Sequence, residues 1–377
     1  MSIDRRDFLK RSGIAGVLGL VAPLTAASKQ DTRSSAPKKM KVLIIGGTSL
    51  IGPHVVATLK KRGHEITLFN RGRTNTHLFP ELEKLRGDRN KDLSALKGRK
   101  WDVVIDNCGY FPKQIRKSTA VLKDSGFYMF ISSVSAFANA HLEDTNDNSP
   151  LGKIDNPEEQ ERITGANYGP LKACCERETT KAFPGQSVIV RPGLIVGPGD
   201  SSDRFTYWPT RSARGGEMLA PGKPEWGTQF IDVRDLADWM VHLCEKKTLG
   251  TFSALGPNKP LPFGDLLESC KRTSQSDAKF LWMTPEFMKA NKISAWGDMP
   301  LYVHPSDNMK RPAMISNKTS VAAGLKFRPV DETTKATLDY HLSRDKTRKF
   351  RAGISAKREA EVIKIWHAQQ KKASSAK

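Results

Sequence analysis

Acidic residues are in short supply. Forty Asp and Glu stand against 61 Lys and Arg, a formal net charge of +21. That balance raises nucleic acid, anionic lipid and anionic substrates as partners. The cations are scattered, however, and the densest groups are only Lys38–Lys39–Lys41, Lys60–Lys61–Arg62 and Lys371–Lys372. They read as solvated helix ends and tails. Without the aromatic–basic interleaving of RNA-binding sheets, nucleic acid is not an expected partner. Cysteine is also scarce. Cys108, Cys174, Cys175, Cys244 and Cys270 form an odd, irregularly spaced set, which excludes a disulfide framework. No zinc-finger spacing occurs, and no metal is expected. Long hydrophobic runs are missing: no internal stretch approaches the roughly 20 apolar residues of a spanning helix.

Near the start, Asp4-Arg5-Arg6-Asp7-Phe8-Leu9-Lys10 precedes a modestly apolar run, Ile14 to Leu24, and the small residues Thr25-Ala26-Ala27. This three-part layout resembles a twin-arginine export signal, with Asp4 where Ser or Thr is usual. The expectation is a signal peptide over residues 1–27 and the twin-arginine translocase as partner during export. The mature protein is then periplasmic or otherwise exported, without a transmembrane span. Residues 28–39 read as a polar linker.

From Lys41 strand-like and helix-like stretches alternate, which predicts an α/β protein. Lys41-Val42-Leu43-Ile44-Ile45 reads as a buried parallel strand. Gly46-Gly47-Thr48-Ser49-Leu50-Ile51-Gly52 follows. Val55, Val56 and Leu59 then recur at helical spacing, Gly63 stops the helix, and Glu65 to Phe69 forms the next strand. Such a unit aims a helix N-terminus, with its free N–H groups and positive dipole end, at a pyrophosphate. Ser49 replaces the usual middle glycine. The second strand ends in Asn70-Arg71-Gly72-Arg73, which has no carboxylate for ribose hydroxyls, and Arg71 is able to pair with a 2′-phosphate. The cofactor is expected to be NAD(P), with NADP favoured over NAD. The loop Asn107-Cys108-Gly109, after a strand from Trp101 to Asp106, is expected to line it as well.

Phe127 to Ser132 is another apolar strand, and it runs into Ser133. Thirty-five residues later comes Tyr168-Gly169-Pro170-Leu171-Lys172. Tyr and Lys four apart share a helix face. A lysine charge beside a phenol lowers its pKa, so Tyr168 is able to exchange a proton with a substrate hydroxyl or carbonyl. Ser133 would hold the same oxygen. In this order the motifs resemble the extended short-chain dehydrogenase/reductase family, also called the NAD-dependent epimerase/dehydratase family. The resemblance covers Lys41 to about Asp235 and draws also on Glu176, Arg191-Pro192-Gly193, Gly197-Pro198-Gly199 and Phe230-Ile231-Asp232-Val233-Arg234-Asp235.

That likeness implies a Rossmann doubly wound parallel sheet with catalytic Ser133, Tyr168 and Lys172, the lysine also binding the nicotinamide ribose. It implies Asp88 near the adenine amino group, and Pro192 and Gly193 in the segment that holds the nicotinamide. Asp235 is expected to cap the following helix. Val134 and Ser135 stand where the family's dehydratases carry an acidic pair, and Phe137 replaces a usual Tyr, which argues against elimination chemistry. Similar glycine motifs occur in chloroplast stem-loop RNA-binding relatives. A non-catalytic nucleotide-sensing or RNA-binding protein is therefore the alternative, against which Tyr168 and Lys172 argue.

Asp200 to Gly216 falls where extended members build their substrate pocket. Arg204 and Gln229 are the candidates for holding an anionic or polyhydroxylated small molecule. Leu281-Trp282 and Trp296 to Tyr302 read as lid or core. Ser355, Glu359, Val362, Ile365 and Trp366 read as a terminal amphipathic helix. The expected organisation is a nucleotide-binding domain over 40–205, a smaller substrate domain over 206–348 partly interleaved with it, and a helix with basic tail over 349–377. The expected reaction takes hydride from a carbinol carbon of a sugar-like substrate. Hydride return to the other face makes an epimerase, and ketone release makes a dehydrogenase; the residues do not choose. Homodimerisation stays open. A route that exports folded proteins suits a chain that must first acquire a nucleotide.

Overall fold

The computed structural model describes residues 38–375 except 141, 307 and 346. The export-signal reading over 1–27 and most of the linker lie outside the described residues. β1 (Lys41–Ile45) leads through the glycine turn into α1 (Ile51–Lys61) and β2 (Glu65–Asn70). Then come β3 (Glu83–Arg86), β4 (Val103–Asp106), α2 (Pro112–Val121), β5 (Tyr128–Ile131), α3 (Tyr168–Ala182) and β6 (Ser187–Pro192). The chain continues through β7 (Ile195–Val196), α4 (Tyr207–Ala213), β8 (Glu217–Pro221), β9 (Gly227–Asp232), α5 (Val233–Lys246) and β10 (Gly250–Ala254). It finishes with β11 (Gly256–Pro262), α6 (Phe263–Ser274), β12 (Lys279–Met283), α7 (Pro285–Ala290), α8 (Lys318–Ala322), α9 (Val330–Ser343) and α10 (Ala356–Ser375).

Seven strands make one sheet in the order β10-β6-β5-β4-β1-β2-β3. Every neighbouring pair is parallel. Parallel strands covered on both faces must be apolar on both faces, and Val42 to Ile45 and Val103 to Asp106 are wholly buried. One face packs against Val55, Val56 and Leu59 of α1 and Leu236, Met240 and Leu243 of α5. The other packs against Ile115 of α2 and Cys175 of α3. The strand order reverses between β1 and β4, which opens a crevice at their carboxyl ends. This is the doubly wound Rossmann sheet.

The sheet is completed late in the chain. β10 joins β6 only after α4, β8 and β9 have built a second lobe, and α5 returns to cover α1. Thr58 Oγ1 donates to Asp238 at 2.7 Å, and Arg62 pairs with Glu245 at 2.6 Å. The second lobe has its own core, including Phe205, Trp208, Met218, Leu266, Met283 and Val362. Leu281 and Trp282 pack onto it as part of β12. α10 docks there through buried Glu359, which pairs with Arg211 at 2.6 Å, while Ile365 stays exposed. Asp232, not Asp235, caps α5: β9 ends extended at Asp232, whose carboxylate accepts the Arg234 N–H at 2.8 Å. Asp235 lies one turn further on and receives Arg328 at 2.6 Å instead. Among the described residues no helix is long and apolar enough to cross a membrane.

Candidate active site

A cavity of about 820 Å³ opens at the crevice between β1 and β4. Gly46, Gly47, Thr48, Ser49, Leu50 and Ile51 form its floor. The first turn of α1 carries no acidic side chain, and Leu50 supplies no side-chain cap. The helix N-terminus therefore keeps its orphan amides for an anion. Gly52 sits behind the turn, where a Cβ would fall 2.4 Å from the Gly47 carbonyl carbon. Only a glycine lets helix and turn approach so closely.

At the end of β2, Asn70 and Arg71 line the same cavity, as does Asp88 after β3. Asn70 acts as a tie: its side chain accepts from the Gly72 N–H at 2.9 Å and from Arg86 at 3.1 Å, and donates to the Gly46 carbonyl at 3.2 Å. Arg71 is exposed, and among the described residues no carboxylate lies within 4.0 Å of it. The Asp88 carboxylate accepts the Asn90 N–H at 2.9 Å. Asn107 and Cys108 form the opposite wall, with the Cys108 thiol donating to the Ile45 carbonyl at 3.3 Å.

Beneath that wall lies a brace the sequence did not announce. Arg89 reaches both Asp106 oxygens, at 2.6 and 2.7 Å, and the Tyr128 hydroxyl donates to the same carboxylate at 2.8 Å. Burial would raise the Asp106 pKa, but the Arg89 charge and these bonds hold it below the usual range.

Ser133, Tyr168 and Lys172 all line the cavity, along with Pro192 and Gly193 at the end of β6. Tyr168 opens α3, and Lys172 follows one turn later on the same face. The Lys172 ammonium is buried and donates to the carbonyls of Gly109 at 2.8 Å and Ile131 at 2.5 Å. That is how Gly109 enters the site, since it does not line the cavity itself. Burial lowers the Lys172 pKa to about 8. Ser133 Oγ donates to Ser135 Oγ at 3.2 Å and accepts the Ser135 N–H at 3.1 Å.

Burial raises the Tyr168 pKa, and the nearby Ser133 hydroxyl and the Arg204 charge pull it back. The lysine donates to backbone carbonyls, and Arg204 is a second cation near the phenol, one the sequence did not place there. Tyr110, which follows the Asn107–Gly109 loop directly, was also missed. Its ring lies 6.5 Å from Tyr168 and 5.4 Å from the Lys172 ammonium.

Arg204 stands at the junction with a second cavity of about 1060 Å³ and lines both. Its guanidinium lies 5.5 Å from the Trp296 ring centre, and its Nε donates to Ser202 at 3.2 Å. Gln229 lies on the wall of the second cavity only. Its amide is engaged in a reciprocal pair with Ile315, donating to the carbonyl at 2.8 Å and accepting the N–H at 2.9 Å. Its observed work is thus to pin the segment before α8.

No protein-family profile matches this chain. Over 260 residues it is 25% identical to the chloroplast stem-loop binding protein of 41 kDa b from Arabidopsis thaliana, an alignment covering 63% of this chain. The chain spans 64% of that protein's length. It is 24% identical over 233 residues to the epimerase family protein SDR39U1 of Bos taurus, covering 55% of this chain and 70% of that protein. Among solved structures, the Bordetella bronchiseptica enzyme WbmH with NAD+ superposes with a TM-score of 0.58 at 15% identity, over 81% of this chain and 99% of that one. UDP-glucuronic acid 4-epimerase of Bacillus cereus with NAD gives 0.56 at 17% identity, over 81% and 100%. Human SDR39U1 with NADPH gives 0.54 at 17% identity, over 80% and 99%. At such identities the likeness is one of architecture: the chain has the Rossmann fold of these proteins.

Proposed function

We propose that this chain is an NAD(P)-dependent oxidoreductase or epimerase of the extended short-chain dehydrogenase type, acting on a sugar-like substrate. The observation that carries the reading is the convergence of Ser133, Tyr168 and Lys172 on the cavity floored by the glycine turn. The residues fit a dinucleotide: an uncapped helix N-terminus and a turn where a Cβ on Gly46 would fall 2.3 Å from Asn107. Gly46 to Ile51 would hold its pyrophosphate, Asn70 and Arg71 its adenosine ribose, and Asp88 its adenine. Lys172, with a third N–H beyond the two carbonyls it serves, would hold the nicotinamide ribose.

Bound there, the dinucleotide supplies hydride transfer to or from a substrate carbon. This chain's own groups handle the proton. In the oxidative direction Tyr168, as phenolate, takes the proton of the substrate hydroxyl as the carbinol C–H bond breaks and a ketone forms. In the reductive direction the phenol returns it. Ser133 Oγ orients the reacting oxygen, and Arg204 stabilises the phenolate. NADP is the favoured partner because Arg71 faces no competing carboxylate. The relatives with bound nucleotide include both an NAD and an NADPH protein.

The test is nicotinamide reduction by wild type in the presence of candidate sugars, set against Tyr168→Phe and Lys172→Met. Tyr168→Phe is expected to lose on the order of 10²–10⁴ in turnover while keeping nucleotide affinity; Lys172→Met is expected to lose both. Wild-type turnover in Tyr168→Phe refutes the mechanism.

The name of the chloroplast relative favours a second reading, a stem-loop RNA-binding protein. It predicts steeply salt-dependent RNA affinity and no turnover. We also propose export by the twin-arginine route, supported by Arg5-Arg6 ahead of Phe8-Leu9-Lys10.

A further inference from the structure

The second cavity meets the first at Tyr168, Ser135 and Arg204. Its far wall is an aromatic pair. Trp226 and Tyr302 have ring centres 6.3 Å apart and planes within 9° of parallel. The backbone beneath is Gly222, where a Cβ would fall 2.5 Å from the Trp226 ring and 2.9 Å from that of Tyr302. Any side chain there would push the pair apart. Trp296 stands at the mouth, 41% exposed.

Charge is confined to one point. Of the described residues lining this cavity, Arg204 is the one with a charged side chain, and Trp296 and Ser202 already engage it. Thr228 Oγ1 is buried away from the open space, and the Gln229 amide is occupied by Ile315. A nucleoside diphosphate brings two anionic phosphates, which require several cations or amide donors once withdrawn from water. This wall offers one cation, Arg204. It offers flat apolar surface, which suits the C–H face of a sugar ring or an aryl group. The volume, about 1060 Å³, is that of a site for a ligand of more than one ring.

We propose that the substrate is a glycoside free of any nucleoside diphosphate. One sugar ring sits at Tyr168 and Ser133 for oxidation. A second ring with an apolar face, sugar or aryl aglycone, lies along Trp226 and Tyr302. Arg204 takes at most one carboxylate. This rests on the hydride-transfer reading for the bond that reacts, but not for the ring that stacks.

The experiment titrates the full chain, with NADP+ or NAD+ present, against phenyl glycosides of glucose, galactose and glucuronic acid, and against UDP-glucose and UDP-glucuronic acid. Tryptophan fluorescence reports binding, and nicotinamide reduction is read in the same samples. At least one phenyl glycoside is expected to bind tenfold or more tightly than either UDP-sugar. Trp226→Ala is expected to raise its Kd and KM about tenfold with kcat little changed, and Trp226→Phe to recover most of the loss. Tighter binding of a UDP-sugar, no saturable binding of any phenyl glycoside, or an unchanged Kd in Trp226→Ala overturns the proposal. A UDP-sugar that reduces nicotinamide while no phenyl glycoside binds overturns it and leaves the hydride-transfer reading intact. Phenyl glycoside binding as expected, with no nucleotide bound and none reduced, upholds the pocket assignment and removes that reading instead.

Discussion

Glu176 accepts two hydrogen bonds from Arg191, at 2.9 and 2.7 Å, behind the end of β5. The pair is buried, and Glu176 also receives the Ser132 hydroxyl. One carboxylate thus ties α3 to β5 and β6. Tyr168, Lys172 and Glu176 succeed one another at four-residue spacing, so a single helix face carries the phenol, the ammonium and the anchor.

Removing one partner of a buried ion pair leaves the other charge uncompensated. Glu176→Ala is therefore expected to cost on the order of 3–5 kcal/mol in urea unfolding. Its kcat should fall further than its nucleotide affinity, because the strand end bearing Ser133 loosens while the glycine turn does not. An alanine variant as stable as wild type would show that the tie is dispensable.

Two glycines separate binding from turnover. A Cβ at Gly52 meets the glycine turn at 2.4 Å, and one at Gly169 meets the Ser135 carbonyl oxygen at 1.9 Å. Gly52→Ala should weaken nucleotide binding tenfold or more, by the tenfold per 1.4 kcal/mol rule. Gly169→Ala should spare binding and lower turnover, since it displaces the turn holding Ser133. Equal effects of both on nucleotide Kd would contradict this division.

The proposed preference for NADP rests on Arg71. Loss of a charge-assisted pair costs on the order of 1.5–3 kcal/mol, or roughly tenfold to a hundredfold. Arg71→Ala should weaken NADP by that factor and leave NAD unchanged in fluorescence titrations. Superimposable curves for the two nucleotides in the wild type would remove the preference.

The pH profile follows from Tyr168 and Lys172. Burial holds the phenol above the ordinary tyrosine range, so carbinol oxidation, which needs phenolate, should keep climbing with pH through the alkaline range. Carbonyl reduction should fall over the same range. Arg204→Gln should move both limbs to higher pH, because the cation favours phenolate. Lys172 titrates near 8 when folded and at 10.5 when free, so the unfolded chain holds the proton longer. The Lys172 contribution to the stability of the nucleotide-free protein should therefore rise with pH across that window, while the buried thiols of Cys175, Cys244 and Cys270, held above their usual range, pull the other way, so the lysine is read from the difference between wild type and Lys172→Met in thermal melts. A difference between wild type and Lys172→Met that stays constant over this range would mean that the folded lysine titrates like a free one.

For export, fractionation of cells carrying wild type and an Arg5→Lys/Arg6→Lys variant is decisive. The wild type should appear shortened beyond the cytoplasmic membrane, and the variant should stay inside at full length. Both forms remaining inside uncleaved would dispose of the signal.

Much of this protein is legible along the chain because its signals are local. Lys41 to Ile45, the glycine turn and the α1 periodicity lie within one short stretch, and strand, turn and helix follow from hydrogen bonds between near neighbours. Tyr168 and Lys172 share a face because four residues make about one helical turn. What the tertiary structure alone decided involves residues far apart competing for the same partners. Lys172 turned to the carbonyls of Gly109 and Ile131, and Arg204 came near the phenol from the segment before α4. Gln229 paired with Ile315, and Asp232 took the cap from Asp235. β10 closed a sheet begun at Lys41, and Trp226 met Tyr302 over a bare Gly222. Which donor reaches which acceptor, and which ring covers which backbone, depends on packing that brings distant segments together, and no local period records it.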